Sequence, residues 1–218
     1  LSIVIREPLG VVAAIVPWNS QLQLAGFKIA PALAAGNTLV VKASEEASAA
    51  LVAFAEVIEE AGLPKGVVNI ITGGPECGQA LVSHPAVRRI SFTGGVDTAR
   101  RIIPQTANNI ASMSLELGGK SPVIVFEDAD PDVALRGVTT AAFAAGGQSC
   151  AAGSRLFVQS SIYDRFVSAL VERAGQIHLG EPESDDTQMG PLATLAQRER
   201  IERLLAESLD RGGKLLLG

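Results

Sequence analysis

Short β-branched runs alternate with longer stretches of helical period from Gly10 onward. This alternation is typical of β–α units that form a parallel sheet with helices packed on its faces. The first half of the chain has such strand-like runs at residues 11–16, 38–42, 67–71, 89–92 and 112–116. Helices are expected between them at residues 23–35, 45–61, 78–82 and 96–106. The sequence therefore predicts an α/β fold built on a doubly wound, five-stranded parallel sheet.

A second domain is expected after the E-L-G-G-K turn at residues 116–120. The predicted domains are residues 1–119 and residues 120–218. In the second domain, strands are expected at 122–126 and 155–159 and helices at 134–145 and 163–177, while residues 214–218 have the pattern of a strand that has only begun. The chain lacks an initiating Met. We therefore expect a segment of a longer protein.

Composition excludes two classes of partner. The chain is 47% hydrophobic and 19% charged with a formal net charge of -5, and it has no cluster of Lys and Arg of the kind that binds nucleic acid. No apolar run approaches the roughly 18 residues that span a bilayer. Arg6 and Glu7 interrupt the apolar N-terminal residues, which excludes a signal peptide. We expect a cytoplasmic protein whose two cysteines stay reduced.

Cys150 is the main candidate for chemistry. It lies in G146-G-Q-S-C-A-A-G-S154, where small neighbours leave room for a substrate and leave backbone N–H groups open to an oxyanion. Cysteines are also among the most often buried residues, so a packed thiol is the alternative. His84 and His178 lie near predicted helix ends, away from the glycine-rich turns. With no CxxC, HxxxH or His/Cys cluster, no metal site is expected.

Several glycine-rich turns could hold a dinucleotide. The G-x-G-x-x-G fingerprint is absent, and G73-G-P-E-C-G78 has the wrong spacing. However, K42-A-S-E45 and F92-T-G-G95 place small residues and free amides at predicted helix N-termini, where a pyrophosphate could bind. Ordinary turn chemistry is the alternative explanation.

Five motifs occur in the order and at the spacings of the aldehyde dehydrogenase superfamily, which this chain resembles over essentially its whole length. They are P17-W-N19, K42-A-S-E45, F92-T-G-G95, E116-L-G-G-K120 and G147-Q-S-C150. The resemblance implies that residues 1–119 bind the dinucleotide and that residues 120–218 begin the catalytic thiol domain. It also implies an enzyme that oxidises an aldehyde to a carboxylic acid with NAD(P), as a homodimer or homotetramer.

The resemblance assigns three catalytic roles. Cys150 would attack the aldehyde to form a thiohemiacetal and, after hydride transfer, carry the acyl group as a thioester. Glu116 would be the general base that activates water, a role that a carboxylate serves better when burial raises its pKa. The Asn19 amide and the Cys150 N–H would hold the oxyanion.

Cofactor contacts are also implied by the resemblance. Lys42 and Glu45 match the positions that hold the adenosine ribose, where the Glu45 carboxylate would repel a 2′-phosphate and favour NAD. If this carboxylate swings away, NADP is admitted. Further contacts are assigned to Trp18, Ser44, Gly74, Gly78, Phe92, Thr93, Gly94, Gly95 and Leu117.

The chain departs from the family pattern at Ser20 and Gln21 after P-W-N, at Ala43, at Gly95 and at Ser149. Three alternatives remain open. A CoA-acylating dehydrogenase is disfavoured by Glu116, since that branch needs no hydrolytic base. A non-catalytic binding or structural protein is disfavoured by the joint presence of Cys150, Glu116 and Asn19. A segment of this length could also be inactive on its own.

Overall fold

The computed structural model describes all 218 residues, which form two compact units, Leu1–Leu117 and Gly118–Gly218. The first unit contains a five-stranded sheet with strand order β3-β2-β1-β4-β5, and all of its strand pairs are parallel. The strands are β1 (Val11–Ile15), β2 (Thr38–Lys42), β3 (Val68–Ile71), β4 (Val87–Gly94) and β5 (Ser112–Leu117). The predicted α/β fold with its doubly wound sheet is confirmed.

Four helices connect these strands: α1 (Gln21–Ala34), α2 (Ala49–Glu60), α3 (Pro75–Ser83) and α4 (Val96–Gln105). The central strand β1 is buried on both faces, as parallel sheets usually are. Ala13 and Ile15 belong to a core cluster with residues of α3 and α4. Val12, Ala14 and Val16 belong to a second cluster with residues of α1 and α2. The helices therefore cover both faces of the sheet.

The helix predicted at residues 45–61 is divided in two. Ser44 starts a short 3₁₀ turn, Glu45–Ala47, and its hydroxyl accepts a hydrogen bond from the Glu46 N–H at 3.4 Å. The helix α2 begins separately, because the Ser48 carbonyl accepts from the N–H groups of Leu51 and Val52, each at 3.0 Å. Two successive helix starts replace the predicted single one.

The second unit contains two parallel strands, β6 (Pro122–Val125) and β7 (Arg155–Val158). Its helices are α5 (Pro131–Phe143), α6 (Tyr163–Gly175) and α7 (Leu195–Asp210). Val125, Val138 and Phe166 form its buried core. No helix of the structure is both long enough and apolar enough to cross a membrane.

Two predictions for this unit are corrected, and one helix was missed. Helix α5 begins earlier than predicted, because Asp130 caps it by accepting from the N–H groups of Asp132 and Val133 at 3.0 and 2.9 Å. It ends at Phe143, and Ala145 is left-handed with φ 53°. Residues 214–218 pair with no strand and form no regular element. Helix α7, which begins at the Thr194 cap, was not predicted.

Candidate active site

The strand order of the first unit reverses between β1 and β4, which run side by side. In open α/β sheets, ligands bind beyond the carboxyl ends of the strands at such a switch point. The candidate site residues of the first unit lie at this edge of the sheet or in the turns that leave it, except Gly78, which lies inside α3. They are Trp18, Asn19, Lys42, Ser44, Glu45, Gly74, Gly78, Phe92, Thr93, Gly94, Gly95, Glu116 and Leu117.

Strands β4 and β5 place the candidate general base next to the candidate cofactor turn. In the parallel register, Thr93 is the partner of Glu116 and Gly94 is the partner of Leu117. The proposed catalytic carboxylate therefore lies on the strand directly adjacent to the proposed cofactor turn. Glu116 is exposed in this chain, so the burial expected to favour a general base is not provided by the first unit.

The turn from β4 to α4 has the features of a ligand site. Thr93 is 6% exposed, and its Oγ1 is buried without a hydrogen-bond partner. A buried hydroxyl in this state loses about 1–3 kcal/mol that a bound acceptor or donor can restore. Beyond it, Gly95 precedes the ten-residue helix α4, whose N-terminus favours anionic groups. These features fit a pyrophosphate-containing cofactor.

Gly94 leaves no room for a side chain. A Cβ at this position would lie 2.6 Å from Cζ of Phe92, whereas a Cβ at Gly95 would have no heavy atom within 4 Å. Phe92 is itself buried, at 2% exposure. The ring of Phe92 therefore fills the space next to Gly94, whereas the space next to Gly95 is open.

Lys42 and Glu45 form an ion pair beyond β2. The Lys42 Nζ lies 2.9 Å from Glu45 Oε2, with Lys42 buried and the Glu45 side chain about half exposed. Partial burial raises the pKa of Glu45, but its own backbone N–H and Lys42 have the larger combined effect, so the pKa lies below its ordinary value. The carboxylate is thus held charged and accessible, as an acceptor of hydroxyl hydrogen bonds requires.

Lys28 is a buried charged residue that the sequence analysis missed. It lies in α1 with 8% exposure, and its Nζ donates a hydrogen bond to Ser91 Oγ at 2.9 Å. Burial lowers the pKa of Lys28 to about 8, and the nearby Glu116 carboxylate partly opposes this effect. The one signal in the sequence is a lysine inside the apolar stretch at residues 24–30.

Trp18 and Asn19, which precede α1, are half-buried.

Cys150 lies in the second unit, in the loop between α5 and β7, and its side chain is exposed. An exposed side chain does not fit the alternative in which the Cys150 thiol is packed in the core. Ser149 and Ala152 close a turn around it, with the Ala152 N–H donating to the Ser149 carbonyl at 3.2 Å. The Cys150 N–H donates to no backbone or side-chain acceptor. A thiol and an open amide thus occur on the same residue. Cys77, by contrast, is half-buried in α3.

Comparison with known proteins extends this description. Residues 1–218 match the model of the aldehyde dehydrogenase family. The chain is 57% identical over 215 residues to (Z)-2-((N-methylformamido)methylene)-5-hydroxybutyrolactone dehydrogenase of Acinetobacter baylyi, covering 98% of this chain and 44% of that protein. The chain thus spans less than half the length of this relative.

Two solved structures are similar to this chain over nearly its whole length. The crystal structure of betaine aldehyde dehydrogenase from Staphylococcus aureus in complex with NAD+ is similar with a TM-score of 0.94 and 42% identity, over 97% of this chain and 42% of that one. PnpE from Pseudomonas sp. WBC-3 is similar with a TM-score of 0.95 and 44% identity, over 98% of this chain and 44% of that one.

Proposed function

Because the chain belongs to the aldehyde dehydrogenase family, we propose that its protein oxidises an aldehyde to a carboxylic acid with NAD+. The first unit would bind the dinucleotide, and the second would supply the thiol. The observation that carries this proposal is the exposed Cys150 with its own N–H open. A packed structural cysteine would have neither property.

Cys150 acts first as the nucleophile. Its thiolate sulfur adds to the aldehyde carbon, and the carbonyl oxygen becomes an oxyanion. The Cys150 N–H and the Asn19 side-chain amide donate hydrogen bonds to this oxygen, and each such donor contributes about 3 kcal/mol of barrier lowering. The C–H bond then breaks with both electrons leaving as hydride, and the carbonyl re-forms as a thioester on Cys150. NAD+, when bound, supplies the hydride acceptor.

Glu116 acts in the second half of the reaction. Its carboxylate takes a proton from a water molecule, whose oxygen adds to the thioester carbon. The C–S bond breaks, the carboxylic acid leaves and the thiolate of Cys150 is regenerated. The Glu116 side chain is exposed in the first unit, so water can reach its carboxylate. A positioned base of this kind contributes about 10²–10⁴-fold to such a step.

Residues around the switch point would hold the cofactor. Thr93 would use its unpartnered hydroxyl, and the N-terminus of α4 would face the pyrophosphate. Lys42 and Glu45 would bind the ribose hydroxyls, and the charge on Glu45 favours NAD over NADP. The remaining contacts fall to Trp18, Ser44, Gly74, Gly78, Phe92, Gly94, Gly95 and Leu117.

The test compares two cysteine variants of the full-length protein. Cys150→Ala should abolish aldehyde-dependent NADH formation while NAD+ still binds, and Cys77→Ala should retain it. If Cys150→Ala keeps its activity, the proposed mechanism is wrong. Product analysis with and without CoA separates hydrolysis from acyl transfer to CoA. A binding protein without catalysis would form no NADH in either variant or in the unmodified protein.

Assembly and location are also part of the proposal. We expect a homodimer or homotetramer in the cytoplasm, with an aldehyde as the small-molecule partner and no nucleic acid or membrane partner. Light scattering on the full-length protein measures the assembly directly. A monomer that is fully active would contradict it.

A further inference from the structure

We propose that Gln148 is a positioning residue for Cys150, because its carboxamide fastens the turn that carries the thiol. This inference rests on the proposed function, in which Cys150 is the nucleophile. Gln148 is half-buried and lies two residues before Cys150. The contacts argued from below lie within the second unit.

The backbone before Gln148 adopts a conformation that needs external support. Ala145, Gly146 and Gly147 are all left-handed, with φ of 53°, 63° and 69°. Residues with a Cβ disfavour this region, and Ala145 has one. Such a conformation persists only where surrounding contacts determine it. The local sequence A-A-F-A-A would otherwise continue the helix α5.

Gln148 supplies those contacts. Its Nε2 donates to the Ala145 carbonyl at 3.3 Å, and its backbone N–H donates to the same oxygen at 3.1 Å. Its Oε1 accepts from the Ala193 N–H at 2.9 Å, although Ala193 is 45 residues away in the chain. The side chain therefore ties the left-handed turn to the segment that precedes α7.

The glycines of the turn fit this arrangement. A Cβ at Gly146 would lie 3.1 Å from the Gln148 Nε2, and a Cβ at Gly147 would lie 3.1 Å from the Ala142 carbonyl oxygen. The turn is thus shaped around the carboxamide on one side and the end of α5 on the other. Neither position could easily accept a larger residue.

The other side of Cys150 is anchored independently. The Gly153 N–H donates to the Ala141 carbonyl at 2.8 Å, and a Cβ at Gly153 would lie 2.5 Å from Cγ2 of Val123. The thiol is therefore held between Gln148 upstream and Gly153 downstream. If the upstream anchor is lost, the sulfur and the Cys150 N–H can shift together, and a shift of about 1 Å can cost about 100-fold in rate.

Two variants separate the two hydrogen bonds. Gln148→Met keeps the length of the side chain and removes both bonds. Gln148→Glu keeps an acceptor for the Ala193 N–H but no longer donates to the Ala145 carbonyl. Gln159→Met is the matched control, since the Gln159 Oε1 also accepts a backbone N–H in this unit, that of Glu127 at 3.0 Å.

The experiment measures kcat, the KM for NAD+ and the rate of iodoacetamide labelling at Cys150 and Cys77 in the full-length protein. In Gln148→Met we expect kcat to fall at least about tenfold, with the KM for NAD+ unchanged, because the cofactor is held by the first unit. Labelling of Cys150 should slow towards that of Cys77, while Cys77 is unaffected. Gln148→Glu should lie between Gln148→Met and the unmodified protein, and Gln159→Met should match the unmodified protein.

Two results would overturn the proposal. One is a Gln148→Met protein with unchanged kcat and unchanged labelling of Cys150. The other is a Gln159→Met protein with the same losses, since a general weakening of the unit would then explain both. If Gln148→Met does not fold, Gln148→Glu is used instead, and unchanged kcat with unchanged labelling of Cys150 would again overturn the proposal. Labelling does not depend on aldehyde oxidation, and the proposed function itself is tested by Cys150→Ala, so the two failures are distinguishable.

Discussion

The ammonium group of Lys28 on α1 donates a hydrogen bond to the hydroxyl of Ser91 on β4, at 2.9 Å. Burial lowers the pKa of this lysine to about 8, and the carboxylate of Glu116 opposes the effect. A titratable amine thus lies within electrostatic reach of the residue proposed as general base.

Lys28 should make stability depend on pH. Its pKa in the folded chain, about 8, is below the ordinary value of 10.5. Between these values the unfolded chain holds a proton that the folded chain has released, so the free energy of unfolding rises with pH there. Lys28→Met should reduce this rise by up to the order of 3 kcal/mol. Urea unfolding across this range measures it, and Lys65→Met, with a 95% exposed side chain, should keep the full rise.

Glu116→Gln should separate the two halves of the reaction. Without the base, the thioester on Cys150 hydrolyses slowly, and steady-state turnover should fall by about 10²–10⁴-fold. The first turnover should survive, giving a burst of NADH and an acyl adduct on Cys150 in mass spectrometry. Glu56→Gln, at an exposed position on α2, should behave like the unmodified protein. Full turnover in Glu116→Gln would remove Glu116 from the mechanism.

Gly94 and Gly95 should tolerate substitution very differently. Gly94→Ala places a methyl group against the buried ring of Phe92, and overpacking of this kind costs about 1–3 kcal/mol. NAD+ binding should weaken as the turn shifts. Gly95→Ala meets no protein atom and should leave the thermal midpoint nearly unchanged. Thermal unfolding and NAD+ titration test the pair, and equal midpoints for the two variants would contradict the role of Phe92.

Glu45→Gln should relax the choice of cofactor. The variant removes the negative charge that would repel a 2′-phosphate but keeps a similar shape, so kcat/KM for NADP+ relative to NAD+ should rise about tenfold, a change of about 1.4 kcal/mol. Glu46→Gln is the control, because Glu46 is the exposed neighbour in the same 3₁₀ turn. A ratio unaffected by Glu45→Gln would show that other residues select the cofactor.

The sheet, and the strand ends at which the candidate residues of the first unit lie, were predictable because strands and turns have strong local signals. Strand-like runs located all five strands of the first unit, although residues 112–116 contain no β-branched residue. The motifs of Lys42 and Thr93 lie at strand ends, while the roles given to these residues came from the resemblance to the family. In a parallel sheet these ends share one edge, so the strand assignment also placed the site. Helix α7 had a usable signal too, since Thr194 caps a stretch with apolar residues at helical spacing.

Features that depend on distant contacts were not predictable. The alanine-rich end of α5 favours a helix locally, yet Ala145 is left-handed, next to a turn that Gln148 connects to the distant Ala193. The low pKa of Lys28 depends on burial beneath β4, which a single sequence does not reveal. The unpartnered hydroxyl of Thr93 likewise emerges only when its surroundings are in place.

The pairing of Thr93 with Glu116 and of Gly94 with Leu117 has a consequence for how this protein can change. Side chains alternate between the two faces of a strand, so a slip of one residue between β4 and β5 would turn Glu116 to the opposite face. Insertions or deletions inside β5 should therefore be eliminated by selection more strictly than those in the loop that precedes it. The proposed chemistry is in this sense tied to the count of residues along one strand.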